Sequence, residues 1–160
     1  FAAFIGFMLV VVFMALSYGV LGIFANFTLV IVLVYIMALL SMLQATLTLP
    51  GIAGIILTIG MAVDANVLIY ERIKEEVAKG CSNLYAVKVG FESAFATIMD
   101  SNITTLIAAF LLYTFGVGAI KGFAVTLTIG IIASMYGALI ITKLMIDLWL
   151  KYFKPRNLGL

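Results

Sequence analysis

Apolar residues fill the chain from Phe1 to Val63 without a single charge, and the breaks in that run fall at intervals that fit membrane spans. A hydrocarbon core about 30 Å thick takes about 20 mostly apolar helical residues to cross. Five segments approach this length: residues 1–17, 23–42, 51–70, 94–116 and 123–144. Tyr18-Gly-Val-Leu-Gly22 reads as a short turn between the first two. Gln44, Thr46, Thr48 and Pro50 mark the far exit of the second, and Pro50 suits the first turn of the third, where a missing N–H costs nothing. The expected architecture is an all-α polytopic membrane helix bundle with five transmembrane helices.

Residues 71–92 mix Arg72, Lys74, Lys79 and Lys88 with Glu71, Glu75, Glu76 and Glu92, the pattern of a solvated, part-helical loop. Gly80-Cys-Ser-Asn83 breaks it. Beyond the break, small residues at Ala86, Gly90 and Ala94 give residues 84–99 a face suited to an interfacial helix lying along the membrane. The fourth span has a clean apolar run only from Ile103 to Phe115, too short to cross, so its helix must recruit residues from about Ala94 onward. That places Asp100, Ser101, Asn102, Thr104 and Thr105 within or beside the membrane. Asp100 has a second available role as an N-cap at the interface.

Composition agrees with the pattern. Hydrophobic side chains make up 66% of the 160 residues and charged ones 10%, with a mean hydropathy of +1.30, whereas a soluble domain carries about 25% charged residues. Of nine basic residues, eight lie in segment 71–92 or from Lys143 onward (Lys143, Lys151, Lys154, Arg156), and only Lys121 lies opposite. Basic residues concentrate on the cytoplasmic side, so loop 71–92 and the tail 145–160 are expected in the cytoplasm and Phe1 outside. No basic stripe suggests nucleic acid. One cysteine, Cys81, and no histidine exclude an internal disulfide and a Cys/His metal site, and no metal or cofactor is expected. The start at Phe1, inside an apolar run and without a signal-peptide pattern, reads as a piece of a longer chain.

Asp64 is the first charged residue. A carboxylate near the end of an apolar run costs about 2.5 to 3.5 kcal/mol to place in lipid, so it is functional by default. Arg72, its nearest basic residue, is eight residues on, and Asn66 faces roughly the other way on a helix of about 100° per residue. Ala53, Leu57, Gly60, Met61, Leu68, Glu71 and Glu75 share the face of Asp64. Gly60 would let a neighbouring backbone approach. Glu71 and Glu75 either extend an acidic track or mark the helix exit. An unpaired carboxylate in low dielectric favours its protonated form, which suits Asp64 to take up and release a proton as a relay. Small residues at Thr126, Gly130, Ala133, Ser134, Gly137 and Ala138 point to close helix packing in the last span.

Four stretches carry a resemblance: Leu49-Pro-Gly-Ile-Ala-Gly54; Gly60-Met-Ala-Val-Asp-Ala-Asn-Val-Leu-Ile-Tyr-Glu-Arg-Ile-Lys-Glu-Glu76; Asp100-Ser-Asn-Ile-Thr-Thr105; and Ile120-Lys-Gly-Phe-Ala-Val-Thr-Leu127. Together they resemble the membrane domain on the SecD side of the SecD/SecF protein-export family, within the resistance-nodulation-division superfamily. The resemblance implies half of a pseudo-symmetric membrane domain, here without its first helix and periplasmic domain. It implies a subunit of the bacterial inner membrane that couples proton movement to late-stage polypeptide translocation, with SecF and the SecYEG channel as partners. It makes Asp64 the proton-coupling aspartate and sets Asp100, Asn102, Thr104 and Thr105, with Asn66, in a polar pathway or partner interface, where SecF would supply the missing basic group. A non-enzymatic role follows. The alternative is a scaffold that docks SecF and SecY without carrying protons. A third reading, an aspartyl protease built on Asp64 and Asp100, lacks the Gly-x-Gly-Asp context and needs two carboxylates in contact.

Overall fold

The computed structural model describes residues 1–44, 47–155 and 158, so Thr46 at the expected exit of the second span and Arg156 in the basic tail lie outside the described residues. The described residues form helices and connecting turns and include no strand. Helix α1 (Ala2–Met42) runs 41 residues but reverses at Gly19, whose φ of 50° and ψ of −122° lie outside helical space. Glycine tolerates that conformation because it has no Cβ. The reversal is a true hairpin. Asn26 Nδ2 donates to the Val11 carbonyl at 2.9 Å across 15 residues of sequence, which a straight helix would hold about 22 Å apart. The two arms, residues 2–18 and 20–42, therefore run antiparallel, and Gly22 lies directly on the Met14 backbone. Among the described residues, four helices are long and apolar enough to cross a membrane. The sequence pattern divides the same chain into five spans, and the difference lies in α1, one helix by hydrogen bonding and two arms by direction.

Helix α2 (Leu49–Ala78) starts where the Thr48 hydroxyl accepts from the Gly51 amide at 3.1 Å, with Pro50 in the first turn. It ends at Lys79, followed by Gly80 at a φ of 84°. Helix α3 (Asn83–Phe115) is capped by Ser82, whose hydroxyl accepts from the Tyr85 amide. Asp100 is therefore not an N-cap; it lies in the middle of α3, and Ser82 takes the capping role. Residues 84–99 do not lie along the membrane surface either. They continue in one helix into the span, because Ala86, Val87, Gly90, Phe91, Ala94 and Ile98 pack on Ile69, Tyr70 and Ile73 of α2. Segment 71–92 is accordingly two helix ends and a turn, with its charges outside. Arg72 pairs with Glu75 at 2.9 Å, Lys74 with Glu71 at 3.4 Å, and Lys79 with Glu76.

The last rod joins α4 (Ala119–Tyr136), a π-helical segment (Gly137–Thr142) and α5 (Lys143–Phe153). Small residues seat it. Cβ atoms added at Gly122 and Gly54 would stand 2.6 Å from Thr48 Oγ1 and 3.3 Å from Thr126 Cβ, and Gly130 lies against Thr58. Gly137 meets Val32 and Thr28 of α1, and the Thr28 and Thr142 hydroxyls share a buried hydrogen bond of 2.9 Å. Tyr18 at the α1 reversal, the α2–α3 turn and α5 gather at one end, the charged end.

A methyl at Gly22 would overlap the Met14 carbonyl oxygen, a backbone atom that cannot swing aside. Gly22→Ala is expected to destabilise the bundle by about 1–3 kcal/mol, the usual cost of overpacking. Thermal unfolding in detergent measures it, and an unchanged midpoint would contradict the hairpin packing.

Candidate functional site: the outer face of helix α2

Asp64 occupies the exposed side of α2. On one flank Ile56, Ile59 and Gly60 line a cleft with Ala3, Gly6, Phe7 and Val10 of α1. On the other, Met61 packs, as Leu106 of α3 does, against the cluster of Ala109, Leu127 and Ile131. The remaining directions are taken by the seam with α4, so the carboxylate has one way to face, outward. Among the described residues no ion pair or hydrogen bond to its carboxylate is found. Among the described residues, nothing beyond the adjoining helix backbone comes within 4 Å of a Cβ added at Gly60, one turn away. The chain itself does not use the space that this glycine leaves.

The register of the α2–α3 hairpin brings Asp100 to the same level. A Cβ on Gly90 would stand 2.5 Å from Ile73 Cγ1, so these two residues face each other. Following both antiparallel helices from that contact at about 1.5 Å per residue sets Asp64 level with Met99 and Asp100. At about 100° per residue, Thr97, Ser101 and Thr104 fall within about 40° of the direction of Gly90, and Asp100 about 80° from it. Asp100 and Thr104 are exposed, whereas Asn102 and Thr105 are half-buried toward the bundle. The polar residues expected to form one cluster thus split between two sides of α3.

Each of these side chains except Asp100 bonds to its own helix. Asn102 Nδ2 donates to the Ile98 carbonyl at 2.7 Å, Thr104 Oγ1 to Asp100 at 2.9 Å and Thr105 Oγ1 to Ser101 at 3.0 Å. Such i−4 bonds satisfy the donors without a neighbour. The acceptor lone pairs stay available on the outer face.

Asn66 points inward and is 2% exposed. Its Nδ2 donates to the Ala62 carbonyl at 3.2 Å, while its Oδ1 has no hydrogen-bond partner among the described residues. Tyr70, one turn further on the same side, is wholly buried with its hydroxyl likewise unpaired. Asn66 therefore belongs to the interior and not to the face that carries Asp64. Sequence reasoning passed over Tyr18 and Tyr70. Tyr18 Oη donates to Glu71 Oε1 at 2.9 Å, its ring lies 5.4 Å from that of Tyr70, and Lys74 Nζ stands 4.8 Å above it. A tyrosine at the end of an apolar span was the available signal. Glu71, on the same side of α2 as Asp64, is thus engaged by the α1 reversal.

The fold and site define a multi-pass membrane protein with an unpaired carboxylate on an open outer face. The family model "Protein export membrane protein SecD/SecF, C-terminal" matches residues 1–152, and the chain belongs to that family. It is 76% identical over 159 residues to the protein translocase subunit SecD of Rickettsia prowazekii, covering 99% of this chain and 31% of that protein. Against the SecD subunit of Desulfurispirillum indicum it is 54% identical, covering 98% of this chain and 30% of that protein. The chain therefore spans about a third of the length of the curated relatives it matches. In three dimensions it is similar to the crystal structure of SecDF, a translocon-associated membrane protein from Thermus thermophilus. The TM-score is 0.92 at 42% identity, covering 96% of this chain and 22% of that one.

The two tyrosines separate a satisfied hydroxyl from an unsatisfied one. Tyr18→Phe removes a hydrogen bond to a carboxylate and is expected to lower stability by about 1.5–3 kcal/mol. Tyr70→Phe removes a buried hydroxyl that has no protein partner and is expected to be neutral or stabilising. Thermal midpoints of the two variants in one detergent make the comparison, and equal losses would contradict it.

Proposed function

We propose that the chain is the membrane part of a SecD-type subunit of the bacterial Sec export machinery, coupling proton movement across the inner membrane to late-stage polypeptide translocation. In this reading Asp64 is the proton relay. SecF completes the bundle over the outer face of α2, the SecYEG channel delivers the polypeptide, and the portion of the subunit beyond this chain grips it. Loop 71–92 and the C-terminal tail lie in the cytoplasm. The observation that carries the proposal is the exposed, unpaired Asp64 beside the open space at Gly60.

The physics of the site sets the cycle. An isolated carboxylate facing lipid or an apolar neighbour favours its neutral form, and a basic group brought against it favours the charged form. Asp64 alternates between these states as the partner surface shifts, so protonation and the seating of the two halves are linked. Asp100 and Thr104, level with Asp64, offer oxygen acceptors along the same edge for water or for the partner. No covalent step is involved, and the role is transport.

Asp64→Asn in the full-length subunit keeps the shape and removes the titration. Proton-dependent stimulation of export in inverted membrane vesicles is expected to fall to the level without the subunit, with co-purification of SecF unchanged. Unchanged stimulation would remove the relay role. Loss of SecF binding with intact proton flux would instead favour a scaffold that docks SecF and SecY without carrying protons.

A further inference from the structure

At the charged end, the start of α3 and helix α5 enclose a cleft of about 930 Å³ that the proton-relay reading leaves unused. Lys88, Lys143, Lys151 and Lys154 line it with Glu92 and Asp147, a local excess of two positive charges. Among the described residues none of these six side chains is in an ion pair, although the pairs at the neighbouring α2 end show that carboxylates and lysines here do meet when geometry allows. Lys143 Nζ stands 5.8 Å from the Phe91 ring. The cleft has a fixed floor. Asn83 Nδ2 donates to the Pro155 carbonyl at 2.9 Å, and Leu158 beyond it is buried in the core. Lys154 has a left-handed conformation at a φ of 39°, uncommon for a residue with a Cβ.

The depth of the cleft in the membrane follows from the last rod. Lys121 and Lys143 stand about 33 Å apart along the axis at about 1.5 Å per residue, which matches a hydrocarbon core of about 30 Å. Lys143 therefore marks the edge of the core, and the cleft runs outward from it through the headgroup region toward Lys151, about 12 Å further along at about 1.5 Å per residue. Leu84 and Tyr85, 70% and 54% exposed, line the end of the cleft away from Lys143, near the level of Pro155.

We propose that this cleft binds the headgroup of an anionic phospholipid of the adjacent leaflet, its phosphate among Lys88, Lys151 and Lys154 and its glycerol end toward Lys143. Basic pockets between helices at this depth suit such headgroups. The opposite-sign neighbours Glu92 and Asp147 disfavour a multiply charged anion, so a lipid with a single net negative charge fits best. The inference does not depend on whether Asp64 carries protons.

The test uses the full-length subunit purified in mild detergent, with phosphatidylglycerol and phosphatidylcholine of the same acyl chains as probes and native mass spectrometry as the readout. Phosphatidylglycerol is expected to remain bound preferentially, and each Lys→Gln change at Lys88, Lys151 or Lys154 to weaken it about five-fold. Lys→Arg changes at the same positions are expected to keep it. Lys151→Gln, at an exposed position, supplies the reading if either of the other variants does not fold. Equal retention of phosphatidylcholine, or unchanged retention of phosphatidylglycerol in Lys151→Gln, would overturn the proposal. Displacement of the lipid by millimolar inorganic phosphate would also overturn it, by identifying a free-phosphate site.

Discussion

The closeness of α2 and α4 is the constraint on which the rest of the bundle depends. Lipid gives apolar side chains little reason to leave it for one another, so membrane helices associate where small residues let their backbones approach. Here the approach is made by threonine against glycine, three times: Thr48 over Gly122, Thr126 over Gly54 and Thr58 over Gly130. The hydroxyls do not need each other. Thr58 donates to Gly54 and Thr126 to Gly122, each within its own helix, at 2.9 Å. Polar atoms are satisfied locally while methyl and methylene groups fill the space over the glycines, and the seam is both tight and dry.

Fixing one side of α2 against α4 decides what its other sides can do. The α1 hairpin and α3 take the two flanks, and the direction opposite the seam is left for Asp64. The same seam explains why Asn66 and Asp64, two residues apart, have such different surroundings. One turns toward the packed interior with Tyr70. The other is held out of it. A carboxylate placed on the Asn66 side would meet buried apolar groups with no counter-charge, a cost of several kcal/mol.

Much of this was legible in the sequence, because length and charge are sufficient signals for membrane spans. The apolar runs, the turn at Tyr18–Gly22, Pro50 in the first turn of α2 and the break at Gly80–Asn83 follow from local chemistry alone. What was not legible depended on contacts between helices. Residues 84–99 have the composition of an interfacial helix, and only the fit of Gly90 on Ile73 shows that they stand upright as the outer half of α3. Asp100 has the chemistry of a cap, but Ser82 begins the helix far upstream. At the site, the 100° spacing correctly separates Asp64 from Asn66. It does not reveal that the threonines of α3 bond backward into their own helix, nor that Tyr18 reaches Glu71 from the α1 reversal.

The upright α2–α3 pair has a mechanical meaning. Lys79 lies fifteen residues past Asp64 on one unbroken helix, about 22 Å away, and α3 braces that length. A tilt of about 10° at the level of Asp64 and Asp100 would displace the turn at Lys79–Ser82 by about 4 Å at that length. Events in the middle of the membrane are thereby magnified at its surface, and the hairpin works as a pointer whose pivot is the carboxylate.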